Sequence, residues 1–197
     1  GCKYNTNSAE SYEFSLGLNG LGLCATQYSS EYMQGEIHRD GLCYELEFEH
    51  GENIGGLKKS KSSRKQSGTR IRWKPDIQVF TDIDIPADYY RDILKRQAIV
   101  NNGLLFVFRN QTDKGFETEE FLYENGIEDY VKEIAGDTAL TSVQYWSTER
   151  VGRDRPDKPE YKVKLSVALT FSNRVKCTEY YHNSSWLEHG GSPERAA

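Results

Sequence analysis

Three glycines within six positions, Gly17, Gly20 and Gly22, form the densest cluster in this 197-residue chain that could do chemistry. They stand in SYEFSLGLNGLGLCATQYSS, residues 11–30, just ahead of Leu21, Cys24, Ala25 and Tyr28, which are spaced as on one face of a helix. Glycines let backbone N–H groups approach phosphate oxygens with no Cβ in the way. A helix starting there aims its positive end at the same place. The order is G-x-x-G-x-G. It is not the dinucleotide-binding G-x-G-x-x-G, it does not follow a strand, and it lacks the G-K-[ST] ending of a P-loop. On the residues alone the cluster is either a phosphate cradle or a flexible turn at a helix start.

A second pattern is the basic run Lys58, Lys59, Lys61, Arg64, Lys65, Arg70, Arg72 and Lys74, seventeen positions without an acid. Contact with DNA phosphates needs cations and no sequence code. A solvated loop and strand face would read the same way, and Trp73 is the one aromatic interleaved with the cations. Glu117, Glu119 and Glu120 are charges on a hairpin rather than a carboxylate pair for acid–base work. The four histidines, His38, His50, His182 and His189, and the four cysteines, Cys2, Cys24, Cys43 and Cys177, are scattered. They offer no metal-ligand spacing and no Ser/His/Asp or Cys/His arrangement. The cysteines read as reduced cytosolic thiols, mostly buried.

The elements that must carry these residues follow from periodicity. A helix is expected from Leu21 to about Tyr32. MQGEIHR and CYELEFEH flank the turn RDGL as a hairpin, with Tyr44, Leu46 and Phe48 alternating against Glu45, Glu47 and Glu49. GENIGGLKKSKSSRKQSG reads as a connection. TRIRWKP is a strand with Ile71 and Trp73 on one side and Arg70, Arg72 and Lys74 on the other, ended by Pro75. A helix begins near Pro86, with Tyr89, Ile93 and Val100 along its apolar stripe and Tyr90 and Leu94 beside it, and NNG stops it. LLFVFRN and FETEEFLYE pair around QTDKG. GIEDYVKEIAG is a short helix closed by Gly136, and SVQYWSTE is a strand. YKVKLSVALTF and RVKCTEYYHN are expected to pair as a hairpin across SN. Mixed strands and helices make the class α+β. The composition shifts at Pro75 to Phe80, where a domain boundary is expected.

The chain is long enough for one large domain or two small ones. Its net charge of −5 gives no global reason to bind nucleic acid. No apolar run approaches the roughly 18 residues of a membrane span, and residues 1–10 do not read as a signal peptide. Met33 is the only methionine, and both ends read as cut from something longer.

GCKYNTNSAESYEFSLGLNGLG resembles the ATP lid of the B subunits of bacterial type IIA topoisomerases, DNA gyrase and topoisomerase IV. In that family a G-G-K-F-like start runs to a G-L-H-G-V-G loop around the triphosphate. Here Cys2, Asn19 and Leu21 replace a glycine, the histidine and the valine. SGTRIRWKPDIQVF resembles the family's T-G-T-x-V-x-F-x-P-D strand, and DILKRQAIVNNGLLFVFRN the transducer helix and following strand. FLYENGIEDYV and YYHNSSWLEHGG resemble two further transducer segments, with Ser192 and Pro193 where Thr-His is usual. Five segments in the right order span almost the whole chain.

The resemblance implies a C-terminal half of a GHKL-type ATPase domain over residues 1–75, followed over 76–197 by a C-terminally truncated, ribosomal-protein-like transducer with a left-handed βαβ crossover. It implies ATP contacts from Lys3, Tyr12, Gly17, Leu18, Asn19, Gly20, Leu21, Gly22 and Thr69, with Thr69 at the adenine. Lys58, Lys59, Lys61, Arg64 and Lys65 remain possible DNA contacts on electrostatic grounds alone. ATP and Mg²⁺ are the implied cofactors, with the general base, the metal ligand and the γ-phosphate lysine lying outside this chain, so that the chain alone is expected not to hydrolyse ATP. The implied partners are DNA, a second copy of the same subunit closing as an ATP-driven homodimer, and the A subunit in an A2B2 complex, in the cytoplasm and with no membrane. Another ATPase of the wider GHKL group, or a non-catalytic interaction module derived from a topoisomerase, are the alternatives.

Overall fold

The computed structural model describes residues 21–153, 155–157 and 160–196. These fall into two compact units, 21–85 and 86–196.

In the first unit a two-turn helix, α1 (Gly22–Tyr28), leads into four antiparallel strands, β1 (Ser30–Arg39), β2 (Leu42–Glu49), β3 (Glu52–Lys61) and β4 (Gly68–Pro75). The order across the sheet is β3-β2-β1-β4. Two tight turns build it. Asp40 and Gly41 have φ of 52° and 73°, and His50 and Gly51 have φ of 46° and 86°. Positive φ at both central residues is the twist that lets neighbouring strands pair without splaying. Gly51 is further confined because the Tyr28 ring lies where its Cβ would stand. Asp76 fastens the far end of the sheet. Its N–H donates to Ser29 O, and its buried carboxylate accepts the Gln78 N–H at 2.8 Å and His50 Nδ1 at 2.7 Å.

Register sorts the sheet into two faces. One carries Glu45 and Glu47 of β2, Gln34, Glu36 and His38 of β1, and Arg70, Arg72 and Lys74 of β4. The other carries Leu46 and Phe48, Met33 and Ile37, and Thr69, Ile71 and Trp73. Met33 is buried, but Ile37, Ile71 and Trp73 are each about two-fifths exposed.

The second unit holds α2 (Ala87–Val100), the hairpin β5 (Phe106–Thr112) and β6 (Gly115–Phe121), and α3 (Ile127–Ala135). The hairpin β7 (Gln144–Gly152) and β8 (Tyr161–Leu169), a short β9–β10 pair (Tyr181–His182 and Ser185–Trp186) and a C-terminal turn of helix, α4 (Ser192–Ala196), complete it. Its core is Ala98, Ile99 and Tyr123, surrounded by Val100, Phe106, Phe121, Ile127 and Tyr130. Around that core the polar groups are paired. Tyr123 Oη donates to Glu133 at 2.6 Å, Lys95 Nζ reaches the other oxygen of Glu133 at 2.6 Å, and Arg91 joins Asp88 and Glu119.

Several expectations are corrected. The first helix ends at Tyr28, not near Tyr32, because Ser30 to Arg39 is committed to pairing on both sides. Its expected inward face, Leu21, Cys24, Ala25 and Tyr28, is exposed, and Thr26 and Gln27 turn inward instead. With Cys24 and Cys177 exposed and Cys43 buried, the described cysteines are not mostly buried. The stretch 52–61 is a strand rather than a connection. Gly55 and Gly56, both at positive φ, form a bulge between the Glu47↔Ile54 and Glu45↔Lys58 pairs, which hides the alternation. On α2, Tyr89 is 59% and Ile93 40% exposed, while Ala98 and Ile99 are buried and the half-buried Arg91 and Lys95 lie along the inner face.

The largest correction concerns 174–183. β8 pairs with β7 over all nine residues, and 174–180 is not a strand. Ser172 is the cause. It bridges to Ala139, its hydroxyl meets Thr138 at 2.9 Å and takes the N–H groups of Arg174 and Val175, and Leu140 N–H bonds Phe171 O. The chain is thereby drawn away from β8 where the expected turn would reverse it.

Candidate functional site

Of the sequence-derived site residues, Lys3, Tyr12, Gly17, Leu18, Asn19 and Gly20 lie outside the described residues. Leu21 caps α1 with helical dihedrals, and its side chain is 64% exposed. Gly22 is the first helical residue, with open space where a side chain would project. The first helical bond inside α1 runs from Ala25 N–H to Leu21 O, so the amides ahead of Ala25 have no partner within the helix. Packing of α1 falls on β1 and β4. Thr69 is the second residue of β4, opposite Ile37 and in one row with Ile71 and Trp73. It lines a shallow depression with Ile37, Ser67, Gly68 and residues 38–40 of the first turn. The structure places Leu21, Gly22 and Thr69 in one unit, but α1 joins the sheet at the Pro75 and Asp76 end of β4, six residues along the strand from Thr69. The chemistry offered is a flat apolar floor with one hydroxyl at its rim, and helix-start amides that have no partner within the helix.

The basic run does not form one patch. Lys58 Nζ pairs with Glu47 at 2.7 Å, which holds the ammonium above its ordinary pKa. Lys59 lies over the Tyr44 ring, and Arg72 over Tyr32. Lys74 pairs with Glu31 at 2.5 Å. Lys61 and Arg64 line a second depression with Arg70, Glu36 and Glu45, and Lys65 is exposed on the connection to β4. Acidic strands stand beside basic ones, so much of the positive charge is answered within the sheet.

That second depression holds a group missed on sequence. His38 is 7% exposed, with Nε2 2.7 Å from Glu36 Oε1 and Nδ1 2.7 Å from Ser62 Oγ. The hydrogen bond from His38 holds the Glu36 carboxyl below its usual range. Burial pushes the neighbouring Cys43 thiol up, keeping it neutral. The legible signal was Glu36-x-His38 on an alternating strand, which sets both on one face. Ser62 lies 24 residues on and is joined to them only by the fold. Hydroxyl, imidazole and carboxylate in line can activate a serine. Here, however, Ser62 Oγ accepts the Arg64 N–H at 3.0 Å and sits 3.0 Å from Arg64 O, so the hydroxyl is engaged by its own turn. No oxyanion donors converge on it among the described interactions, and the line is a structural tie.

Comparison with known proteins gives the context. No family model matches the chain. It is 31% identical over 186 residues, 93% of its length, to the DNA gyrase B subunit of Chlamydia pneumoniae, and covers 22% of that protein. It is 28% identical over 168 residues to the DNA topoisomerase 4 B subunit of Enterococcus faecalis, covering 84% of this chain and 24% of that one. Among solved structures, the 43K ATPase domain of Thermus thermophilus gyrase B, solved with an aminocoumarin, superposes with a TM-score of 0.57 at 25% identity, over 70% of this chain and 37% of that one. The chain thus spans about a quarter or less of the length of these curated relatives. The described elements are α+β, in keeping with these neighbours.

Proposed function

We infer that this chain, related over most of its length to the B subunits of DNA gyrase and topoisomerase IV, is part of the B subunit of an ATP-dependent type IIA topoisomerase. Residues 1–75 contribute the lid side of the nucleotide site, and 76–197 act as the transducer. The observation that carries the reading is the placement of Thr69. It lies on the open apolar face of β4, beside Ile37 and Ile71. A nucleobase can lie on that floor with the threonine hydroxyl at its polar edge. Gly17 to Gly22 then bring backbone amides to the phosphates, where the cysteine at position 2 and the asparagine at position 19 matter less than the backbone.

In this reading nucleotide binding orders the lid and favours closure of two B subunits, and the transducer relays closure to a DNA gate completed by the A subunit. The driving free energy is the difference in nucleotide affinity between closed and open states. Mg²⁺ neutralises phosphate charge in such chemistry, and its ligands are assigned outside this chain. Two bound DNA segments and the A2B2 assembly are partners in this reading.

The test is a titration of the chain with a non-hydrolysable ATP analogue and Mg²⁺, followed by amide NMR. Binding on the order of millimolar, with shifts concentrated on residues 17–25, Thr69 and Ile71 and lost in Gly20→Val, is the expected result. ATP turnover should stay at the no-protein blank, because no positioned base is assigned to this chain. Shifts confined to other surfaces would favour an interaction module. Turnover abolished by Gly20→Val would overturn the inactivity of the isolated chain.

A further inference from the structure

The tie between His38 and Ser62 contains a proton count. Glu36, held in its anionic form, can only accept, so the 2.7 Å bond to it requires a proton on His38 Nε2. Ser62 Oγ has one proton and two lone pairs, and three partners stand around it. The Arg64 N–H takes one lone pair. If the hydroxyl proton goes to Arg64 O, the remaining lone pair must receive a proton from His38 Nδ1, and every group is satisfied. If the hydroxyl instead donates to a bare Nδ1, Arg64 O loses its partner. The imidazolium therefore supports one more hydrogen bond than the neutral ring.

We propose that His38, when doubly protonated, latches the connection 62–67 to the sheet, and that loss of the Nδ1 proton loosens it. The connection carries Arg64 and Lys65, the two cations of the basic run that lie outside the strands, and it feeds directly into Gly68 and Thr69. Latched, the Arg64 backbone is clamped by Ser62, and Arg64 lines the depression with Arg70 and Glu36. Unlatched, Arg64 and Lys65 are free to follow an anionic partner. The groups around His38 are Glu36 from its own strand, Cys43 (Sγ 3.9 Å from Nε2) and Glu45 from β2, Ser60 and Lys61 from β3, Ser62 to Arg64 from the connection, and Arg70 from β4. The sign follows from the bond count: the latch holds at low pH and opens as pH rises through the titration of the ring.

The test is NMR on the whole chain. Imidazole ¹⁵N spectra should show His38 losing its proton from Nδ1, leaving the Nε2–H tautomer. The amides of Arg64 and its neighbours in the connection, corrected for intrinsic exchange, should lose protection by about three- to tenfold between the protonated and neutral forms, the scale of the one net hydrogen bond lost at Arg64 O. His38→Gln, neutral at every pH, should remove that pH dependence, and Glu36→Gln should weaken it. A neutral Nδ1–H tautomer, or Arg64 protection that does not change as the His38 ring titrates, overturns the proposal. The tautomer readout needs no variant, so it decides the matter even if His38→Gln fails to fold.

Discussion

The two units are held together by different means. In the first, residues 21–85, order comes from backbone pairing. Four strands, two tight turns and a clasp at Asp76 set the geometry, while among the described residues only Met33 and Cys43 count as buried hydrophobic side chains, and Ile37, Ile71 and Trp73 remain open. In the second, residues 86–196, the geometry around α2 and α3 comes from packing. Ala98, Ile99 and Tyr123 are buried, and Glu133, Lys95 and Arg91 are paired around them. A sheet with one open apolar face is suited to receive something. A helix pair over a filled core is suited to move as a body.

The largest expected effect tests this contrast directly. Ile99→Ala, at a site 1% exposed, should cost about 3 kcal/mol. Ile71→Ala, at 39% exposure, should cost under about 1 kcal/mol. Urea unfolding, resolved by unit through hydrogen exchange, measures both. Equal costs would mean that the open face is covered in solution, and the comparison would fail.

A smaller effect probes the polar shell of the second core. Tyr123→Phe removes the hydroxyl that donates to Glu133. Burial, with Glu133 adding to it, pushes that phenol well above its ordinary pKa, so the group is a neutral donor throughout the accessible range. The expected loss is about 1 kcal/mol in the same unfolding assay. No change would mean that Lys95 alone satisfies Glu133.

The smallest effect separates the units by pH. The Gln78 N–H, then His50, hold the Asp76 carboxyl below its usual range. A depressed carboxylate stabilises the fold above its unfolded pKa, and this contribution is lost as pH falls through the folded value. The clasp should therefore release below about pH 4, seen as faster exchange at Ser29 to Glu31 and at Gln78. Asp76→Asn should flatten that response and leave the second unit unchanged.

The sequence made some of this legible and hid the rest for identifiable reasons. Tyr44, Leu46 and Phe48 alternate against glutamates, and Asp40-Gly41 is a strong turn signal, so the β1–β2 hairpin could be read directly. The strand carrying Thr69 was equally plain, with its apolar and basic sides already sorted. β3 was obscured because the Gly55–Gly56 bulge interrupts the alternation. The buried face of α2 was misread because Tyr89 and Ile93 outweigh Ala98 and Lys95 in apolar bulk, although the stem of Lys95 and the small Ala98 fit the interior better. The pairing of 161–171 with 174–183 failed for a tertiary reason, the capture of Ser172 by Thr138 and Ala139. Alternation cannot foresee such a competitor. The partnership of Ser62 with His38 was invisible in the same way.

Gly51 carries a lesson about mutational tolerance. Its backbone is in the left-handed region, at φ 86°, and the Tyr28 ring already occupies the space of a side chain. The two barriers are independent in cause but meet at one site. Trimming Tyr28 would clear the space and leave the dihedral penalty; a residue tolerant of left-handed backbone, such as asparagine, would ease the dihedral and still strike the ring. A neutral path away from glycine at this position must therefore pass through a second change, with position 28 altered before position 51. In a library of single substitutions position 51 should look invariant, and only a paired library would reveal that it can vary.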